Sequence, residues 1–251
     1  MSDHPAYCFY KVFEPEAAKT ISFERHYLLY AAVGSMRLEA GEKEWVLPPS
    51  RAAWLRADTP ITMSYSAPIT CCSVLFSPEA FTAPEEECRV FNMNALARNM
   101  ILACRNWGPE SSQHPLLATS MFSTLALLCQ ALAEQPANTW LPTGTSPAFR
   151  RALRFTEANL ASEISLKDVA QAACISERTL ARRFAEEAGM TWRQVQRRMR
   201  MIRAMELLAD HHIPITDISL DVGYRAQSAF NAAFKAFTGQ SPSAYRRGDG
   251  K

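Results

Sequence analysis

Between Tyr7 and Phe76 the apolar residues fall in short runs: YCFYKVF, HYLLYAAV, MRLEA, KEWVL, AAWL, ITMSYS and ITCCSVLF. Gly34, Gly41, Pro48-Pro49 and Asp58 separate them. Such runs predict strands, and many short, closely spaced strands predict a barrel or sandwich. After Pro84 the period lengthens. Residues 92–107 and 116–134 carry apolar side chains at spacings of three and four, which predicts an amphipathic helical pair packed on the barrel or on a second copy of the protein. The stretch EQPANTWLPTGTSP, residues 134–147, has three prolines, a glycine and no helical period, so it reads as a linker.

Beyond the linker every segment reads as helix: 147–159, 166–173, 177–188, 191–209, 215–221, 227–237 and a last turn after Pro242. Ser165, Ser176 and Thr191 stand at N-cap positions and Gly189 at a stop. Leu166, Val169, Ala170 and Ala173 make one apolar face, a turn runs through Cys174 and Ile175, and Leu180 and Phe184 mark the buried side of the next helix. Two short helices joined by a tight turn form a helix-turn-helix, whose second helix enters the DNA major groove. Arg178 and Arg182 sit two residues from the buried positions, so steps of about 100° turn them outward. Thr179 lies near the exposed N-terminal edge and Arg183 to one side.

The device recurs 49 residues later, counted from Arg178 to Gln227. Ile215, Ile218, Ser219 and Val222 form the first helix, Gly223-Tyr224 the turn, and Phe230 and Phe234 the inside of the second. Ser228 and Ala232 point outward, flanked by Gln227, Asn231 and Lys235. Between the motifs runs a helix rich in arginine, with Arg193, Arg197, Arg198, Arg200 and Arg203. Eighteen residues span about 27 Å, against about 34 Å between successive major-groove faces, so this spacer suits two reading helices on one side of a duplex. Phe230, Phe234 and Phe237 follow the buried face and read as core.

The charge supports a split. Residues 1–140 carry 10 Lys and Arg against 14 Asp and Glu, and residues 141–251 carry 17 against 11, although the whole chain is only +2. The basic half suits a polyanion. In 251 residues, 48% hydrophobic and 21% charged, a disordered or fibrous chain is excluded and two domains are expected. The seven cysteines are odd in number and contain no C-x-x-C pair, which leaves a structural zinc site unsupported and points to a reducing cytoplasm. The alternation in ITCCSVLF is expected to bury one of Cys71 and Cys72 and to leave the other reduced. The start MSDHPAYCFY lacks a secretory signal pattern, and the most apolar stretch, residues 121–133, reads as too short to cross a bilayer. No membrane partner is expected.

The segment ITDISLDVGYRAQSAFNAAFKAFTGQSPSAYR, residues 215–246, resembles the signature of the AraC/XylS family of bacterial transcription regulators through Gly223-Tyr224, Phe230, Phe234-Lys235, Gly239, Ser241-Pro242 and Tyr245-Arg246. The resemblance covers about residues 148–247. It implies that Arg178 and Arg182 in the first reader, and Gln227, Ser228 and Ala232 in the second, lie at base-contacting positions. Ala232 departs from the longer polar side chains frequent there, so the second helix is expected mainly to anchor phosphate. Cys174 stands where many relatives have Gly in the first turn, which implies backbone strain.

WVLPPSRAAWL, residues 45–55, followed by ADTP, resembles the family's cupin-like effector and dimerisation barrel more loosely. The fold expected is multidomain: residues 1–110 a cupin-like effector-binding barrel, 111–140 a helical dimerisation segment and the start of the linker, 141–147 the linker, and 148–251 an all-α DNA-binding domain with two helix-turn-helix motifs. Trp45, Trp54, Tyr30 and Tyr65 are candidates to line an effector cavity. The expected DNA-binding residues are Arg178, Thr179, Arg182, Arg183, Gln227, Ser228, Asn231, Lys235 and Arg197. The expected partners are double-stranded DNA, a small-molecule effector and a second copy of the chain packed through residues 116–132, with RNA polymerase as a partner the resemblance admits.

The rival class is an enzyme, either a cupin isomerase or oxygenase or a DNA alkyl-repair protein. A metal cupin needs clustered histidines, whereas His4, His26, His114, His211 and His212 are scattered. A methyl acceptor needs an activated cysteine with a base in its own motif, and neither G-x-x-x-x-G-K-[ST] nor G-x-S-x-G occurs. No cofactor, no metal and no catalytic residue are expected.

Overall fold

In a computed structural model of the protein, residues 4–110, 115–137, 140–210 and 212–247 are described. His114 and His211 lie outside them. The described residues divide into two units, one of residues 4–40 and 45–137, the other of residues 41–44 and 140–247.

The first unit is built from two antiparallel sheets. One has the order β1 (Ala6–Phe13), β8 (Ile69–Phe76), β3 (His26–Val33), β6 (Arg51–Leu55), β9 (Cys88–Asn92). Across the other run β5 (Lys43–Leu47), β4 (Met36–Ala40), β7 (Ile61–Tyr65) and β2 (Glu16–Ile21). All seven strand runs read from the sequence form strands. β2 and β9 were not expected. EAAKTI is poor in β-formers, exposed and at the rim of its sheet, and it becomes a strand by pairing with β7, where the Thr20 and Thr62 hydroxyls meet at 2.8 Å. β9 pairs with β6 through residues 88–92, so the helix expected from residue 92 starts later, as α1 (Ala95–Ala103) capped by the Asn94 side chain. α2 (Leu116–Ala133) follows.

The first sheet is covered on both faces, and strand alternation sorts the side chains between them. Cys8, Leu28, Tyr30, Trp54, Cys72, Val74 and Phe76 pack with Ile101, Cys104, Phe122 and Leu125 of the helical side. Phe76 lies tilted against Trp54 at 5.1 Å between centroids and meets Phe122 edge-on at 6.5 Å. The odd-numbered neighbours Tyr7, Tyr27, Ile69, Cys71 and Leu75 face the interior between the sheets. Two covered faces explain why β3 and β8 are almost continuously buried, and they correct the expectation for the paired cysteines: Cys71 is 5% exposed and Cys72 0%.

α2 matches the helix expected at residues 116–134 and extends beyond the most apolar stretch, residues 121–133. With 18 residues and a mean hydropathy of 1.7 it is long and apolar enough to cross a membrane by length and composition. Its Ala118, Phe122, Leu125, Ala126 and Cys129 are core residues of the first unit.

In the second unit the expected helices are present as α3 (Pro147–Ala158), α4 (Leu166–Ala173), α5 (Glu177–Ala188), α6 (Trp192–Leu208), α7 (Ile215–Asp221), α8 (Gln227–Thr238) and α9 (Pro242–Arg247). The segment read as linker contains a short strand, β10 (Trp140–Pro142). There Arg198 lies 5.4 Å from the Trp140 ring and donates to its carbonyl at 3.2 Å.

Candidate nucleic-acid interface

The first helix-turn-helix is locked by local hydrogen bonds. Ser165 and Asp168 form a reciprocal capping box at the start of α4, with Ser165 N donating to Asp168 Oδ2 at 2.8 Å. Cys174 ends α4 in the left-handed region, at φ 58° and ψ 41°, where a side chain costs about 1–2 kcal/mol relative to Gly. The strain that the sequence implied is therefore present. Arg151 donates to the Ala173 carbonyl at 2.7 Å, satisfying an acceptor at the helix end. The Ser176 side chain then caps α5, accepting from Thr179 N at 3.2 Å, and Gly189 at φ 62° stops it.

Leu180 and Phe184 are fully buried, and Phe184 meets Phe149 of α3 at 4.8 Å. On the opposite side Arg178 is exposed and the Arg182 side chain is 65% exposed. Among the described residues Arg182 has a loose partner, Glu186 at 3.7 Å one turn along. An exposed pair of this kind contributes little to stability, so its guanidinium exchanges partners at low cost. Thr179 and Arg183 are engaged within the fold. The Thr179 hydroxyl lies 2.9 Å from that of Ser176, and Arg183 lies 3.7 Å from Glu187.

Glu187 was not singled out in the sequence. Its side chain is 8% exposed, and its carboxylate accepts from the backbone N–H and hydroxyl groups of both Thr145 and Ser146 at 2.6–3.0 Å. Burial alone would raise its pKa, but these donors outweigh burial and hold the carboxyl below the usual range. This residue ties the N-terminus of α3 to α5.

The second motif has the same interior. Ile218, Val222, Phe230 and Phe234 pack with Met201, Met205 and Leu208 of α6, and Phe237 is partly buried against them. Leu180 and Phe184 correspond to Phe230 and Phe234 at an interval of 50, whereas Val169 and Ala173 correspond to Ile218 and Val222 at an interval of 49. The second turn is one residue longer. By burial, Arg178 and Arg182 therefore match Ser228 and Ala232. Gln227, Ser228, Asn231, Ala232 and Lys235 are all exposed. Gly223 takes φ 79°, and a Cβ there would overlap the Leu160 carbonyl and the Arg200 guanidinium.

The 17-residue α6 serves both motifs. Near its start Trp192 Nε1 donates to Thr156 Oγ1 of α3 at 3.1 Å, and its later turns hold the second core. Its arginines divide by role. Arg200 donates to the carbonyls of Gly223 and Ser162, and Arg203 pairs with Glu206 at 2.8 Å. Arg198 on Trp140 and Arg200 brace the unit, whereas the Arg203 pair lies within α6 itself. Arg193 and Arg197 are exposed, so Arg197 is available to a phosphate.

The first unit encloses a cavity of about 380 Å³ between its sheets. Of the four aromatic residues proposed to line it, only Tyr65 does. Tyr30 and Trp54 belong to the helix-covered face, and Trp45 is buried elsewhere. The rings that do line it include Phe9, Phe13, Phe23 and Tyr27. Among the described residues no three His, Cys, Asp or Glu side chains are grouped so as to hold a metal ion.

Two helix-turn-helix motifs on one bracing helix, each turning a polar or cationic helix outward, define a DNA-binding unit. Residues 169–248 match the family described as Helix-turn-helix domain. The chain is 23% identical over 241 residues to the HTH-type transcriptional regulator NimR of Escherichia coli K12, covering 96% of this chain and 86% of that one. It is 30% identical over 141 residues to the HTH-type transcriptional activator RhaR of Escherichia coli, covering 55% of this chain and half of RhaR. Among solved structures, the C-terminal domain of AraT, a response regulator from Geobacillus stearothermophilus, is 35% identical, with a TM-score of 0.38, over 41% of this chain and 85% of that one. The second unit is an AraC-type helix-turn-helix domain, and the chain is a DNA-binding transcription regulator.

Proposed function

We infer that this regulator reads its site chiefly through α5, with Arg178 and Arg182 making bidentate contacts to guanine and α8 holding the neighbouring phosphate backbone. The observation that carries this reading is the position of the two arginines, opposite fully buried Leu180 and Phe184 on a capped and tightly anchored helix. Thr179 and Arg183 support the helix before they contact DNA. Gln227 pairs with adenine, while Ser228, Asn231, Lys235 and Arg197 meet sugar and phosphate.

The first unit is read as a cupin-like effector domain, with the effector in the cavity between the sheets, and the chain works as a homodimer in the bacterial cytoplasm. α2 supports the dimer. It contains no charged residue, and its outer side shows Leu116, Leu117 and Leu127 at 83%, 62% and 67% exposure, an apolar patch of the kind that marks an interface. Leu127→Glu is expected to convert a dimer to a monomer in sedimentation, and an unchanged mass would remove α2 from the interface. RNA polymerase is the further partner of the assembly on DNA.

The chain carries no chemistry of its own in this reading. Burial pushes Cys71, Cys104 and Cys129 up to about 12, far from an activated thiolate. Cys8 and Cys72 share a buried contact at 3.8 Å; this contact raises Cys8 and lowers Cys72, but neither thiol is open to a DNA substrate. The test of the whole division is a fragment of residues 141–251. It is expected to keep site recognition and to lose effector response; a fragment that cannot distinguish its site from random DNA would overturn the division.

A further inference from the structure

The polar groups at the cavity rim indicate what its ligand must be. β2 pairs with β7 through Glu16 opposite Tyr65 and Lys19 opposite Met63, with a register shift between them. In a regular strand, residues three apart point to opposite faces. The bulge inserts one residue and brings Glu16 and Lys19 to the same side, so that both line the cavity with Tyr65 and Met63. Bulges re-aim side chains in this way, often beside functional sites.

The carboxylate so placed is the acidic group of the cavity lining. Glu16 Oε2 accepts from the Tyr65 hydroxyl at 2.9 Å, and its Oε1 lies 3.6 Å from the Lys19 ammonium. The Lys19 side chain is 64% exposed, so this contact is a weak surface pair that a better-placed cation displaces. Behind it stand the rings of Tyr7, Phe9, Phe13, Phe23, Tyr27 and Tyr65. Phe13 lies 6.0 Å from Phe9 and 6.2 Å from Tyr65, and Phe23 lies 4.7 Å from Tyr27. Ring faces attract cations and repel anions. Two of these rings already have cations against them, Lys11 at 5.4 Å from Phe13 and Arg25 at 5.2 Å from Tyr7.

An anionic ligand reaching for Lys19 would meet the Glu16 charge beside it. An ammonium group would replace Lys19 on Glu16, turning the exposed Lys19 side chain out to solvent, while its apolar body filled the ring-lined interior. We propose that the cavity binds an apolar amine, a protonated amino group on a ring-sized hydrophobic body, with Glu16 as the residue that selects for positive charge and Tyr65 as the hydroxyl that positions it. This rests on the reading of the first unit as the effector domain and adds the chemical class of the effector.

The test is calorimetric titration of the full-length protein with three probes of one shape: naphthylmethylamine, naphthylmethanol and naphthoate. The amine is expected to bind at least about tenfold more tightly than the alcohol, and naphthoate more weakly than both. Glu16→Gln, at an exposed rim position, is expected to erase the preference and to leave the affinity of the alcohol unchanged. Met63→Trp, which fills the cavity from a half-buried position, is expected to weaken all three probes. Naphthylmethanol or naphthoate binding as tightly as the amine, or a preference that survives Glu16→Gln, would overturn the amine class; if Met63→Trp still weakened binding, the effector reading of the cavity would stand. No saturable binding by any probe, or binding indifferent to Met63→Trp, would overturn the proposal and that reading together.

Discussion

The two helix-turn-helix motifs have nearly the same interior and different exteriors. In the first, the turn is strained at Cys174, both helices are capped by serines, and the outward helix shows Arg178 and Arg182. In the second, the turn is relaxed by Gly223, the helices start at Pro214 and Ala226 with no side-chain cap bond, and the matching outward positions are Ser228 and Ala232. Burial dictates the shared part, since Leu180 and Phe184 or Phe230 and Phe234 must fill a core. The exteriors are not so constrained. Precision of placement and cationic side chains occur together in the first motif, as a helix that reads bases requires. The second, lacking side-chain N-caps and arginines on its outward face, is suited to holding the duplex.

The largest effect expected from breaking this comparison is at the relaxed turn. Gly223→Ala adds a Cβ that clashes with a backbone carbonyl at a positive φ, and should destabilise the second unit by about 3 kcal/mol or more, read as a lowered urea midpoint. Glu187→Ala removes the carboxylate that anchors the first motif and should cost about 2 kcal/mol. Because the pKa of Glu187 is depressed in the fold, its contribution is present at neutral pH and disappears as pH falls through the folded value, below the ordinary range of about 4.3. The wild-type and Glu187→Ala unfolding curves should therefore converge on acidification. The smallest effect has the opposite sign. Cys174→Gly relieves the left-handed strain and should stabilise by about 1 kcal/mol, whereas a melting temperature unchanged or lowered would show that the thiol side chain makes a compensating contact.

The second unit was more legible in the sequence than the first. Its helices follow a 3.6-residue period whose caps are chemically specific, so Ser165, Ser176, Thr191 and Gly189 marked boundaries closely. The one-residue difference between the turns shows between buried residues, where Leu180 to Phe230 is an interval of 50, and not between Arg178 and Gln227, an interval of 49. In the first unit the runs of β residues were clear, but β2 lacks strand formers and owes its conformation to the edge of β7. A strand covered on both faces carries no mark of which face meets helices and which meets the cavity. Tyr65 was therefore placed correctly among the cavity residues, while Tyr30 and Trp54 were not. The bulge that brings Glu16 and Lys19 together is a property of pairing, and no local pattern in EAAKTI announces it.

The most direct test of unequal roles for α5 and α8 is a titration of the full-length protein on a site selected from a random oligonucleotide pool and on random DNA, over a range of salt concentrations. Arg178→Ala and Arg182→Ala should each lose about 1–3 kcal/mol on the selected site and relax preference at one base position, with much smaller losses on random DNA. Lys235→Ala should weaken both equally and reduce the salt slope by about one. Equal losses on both DNAs for the two arginine variants, or loss of discrimination on changing Lys235, would contradict the account.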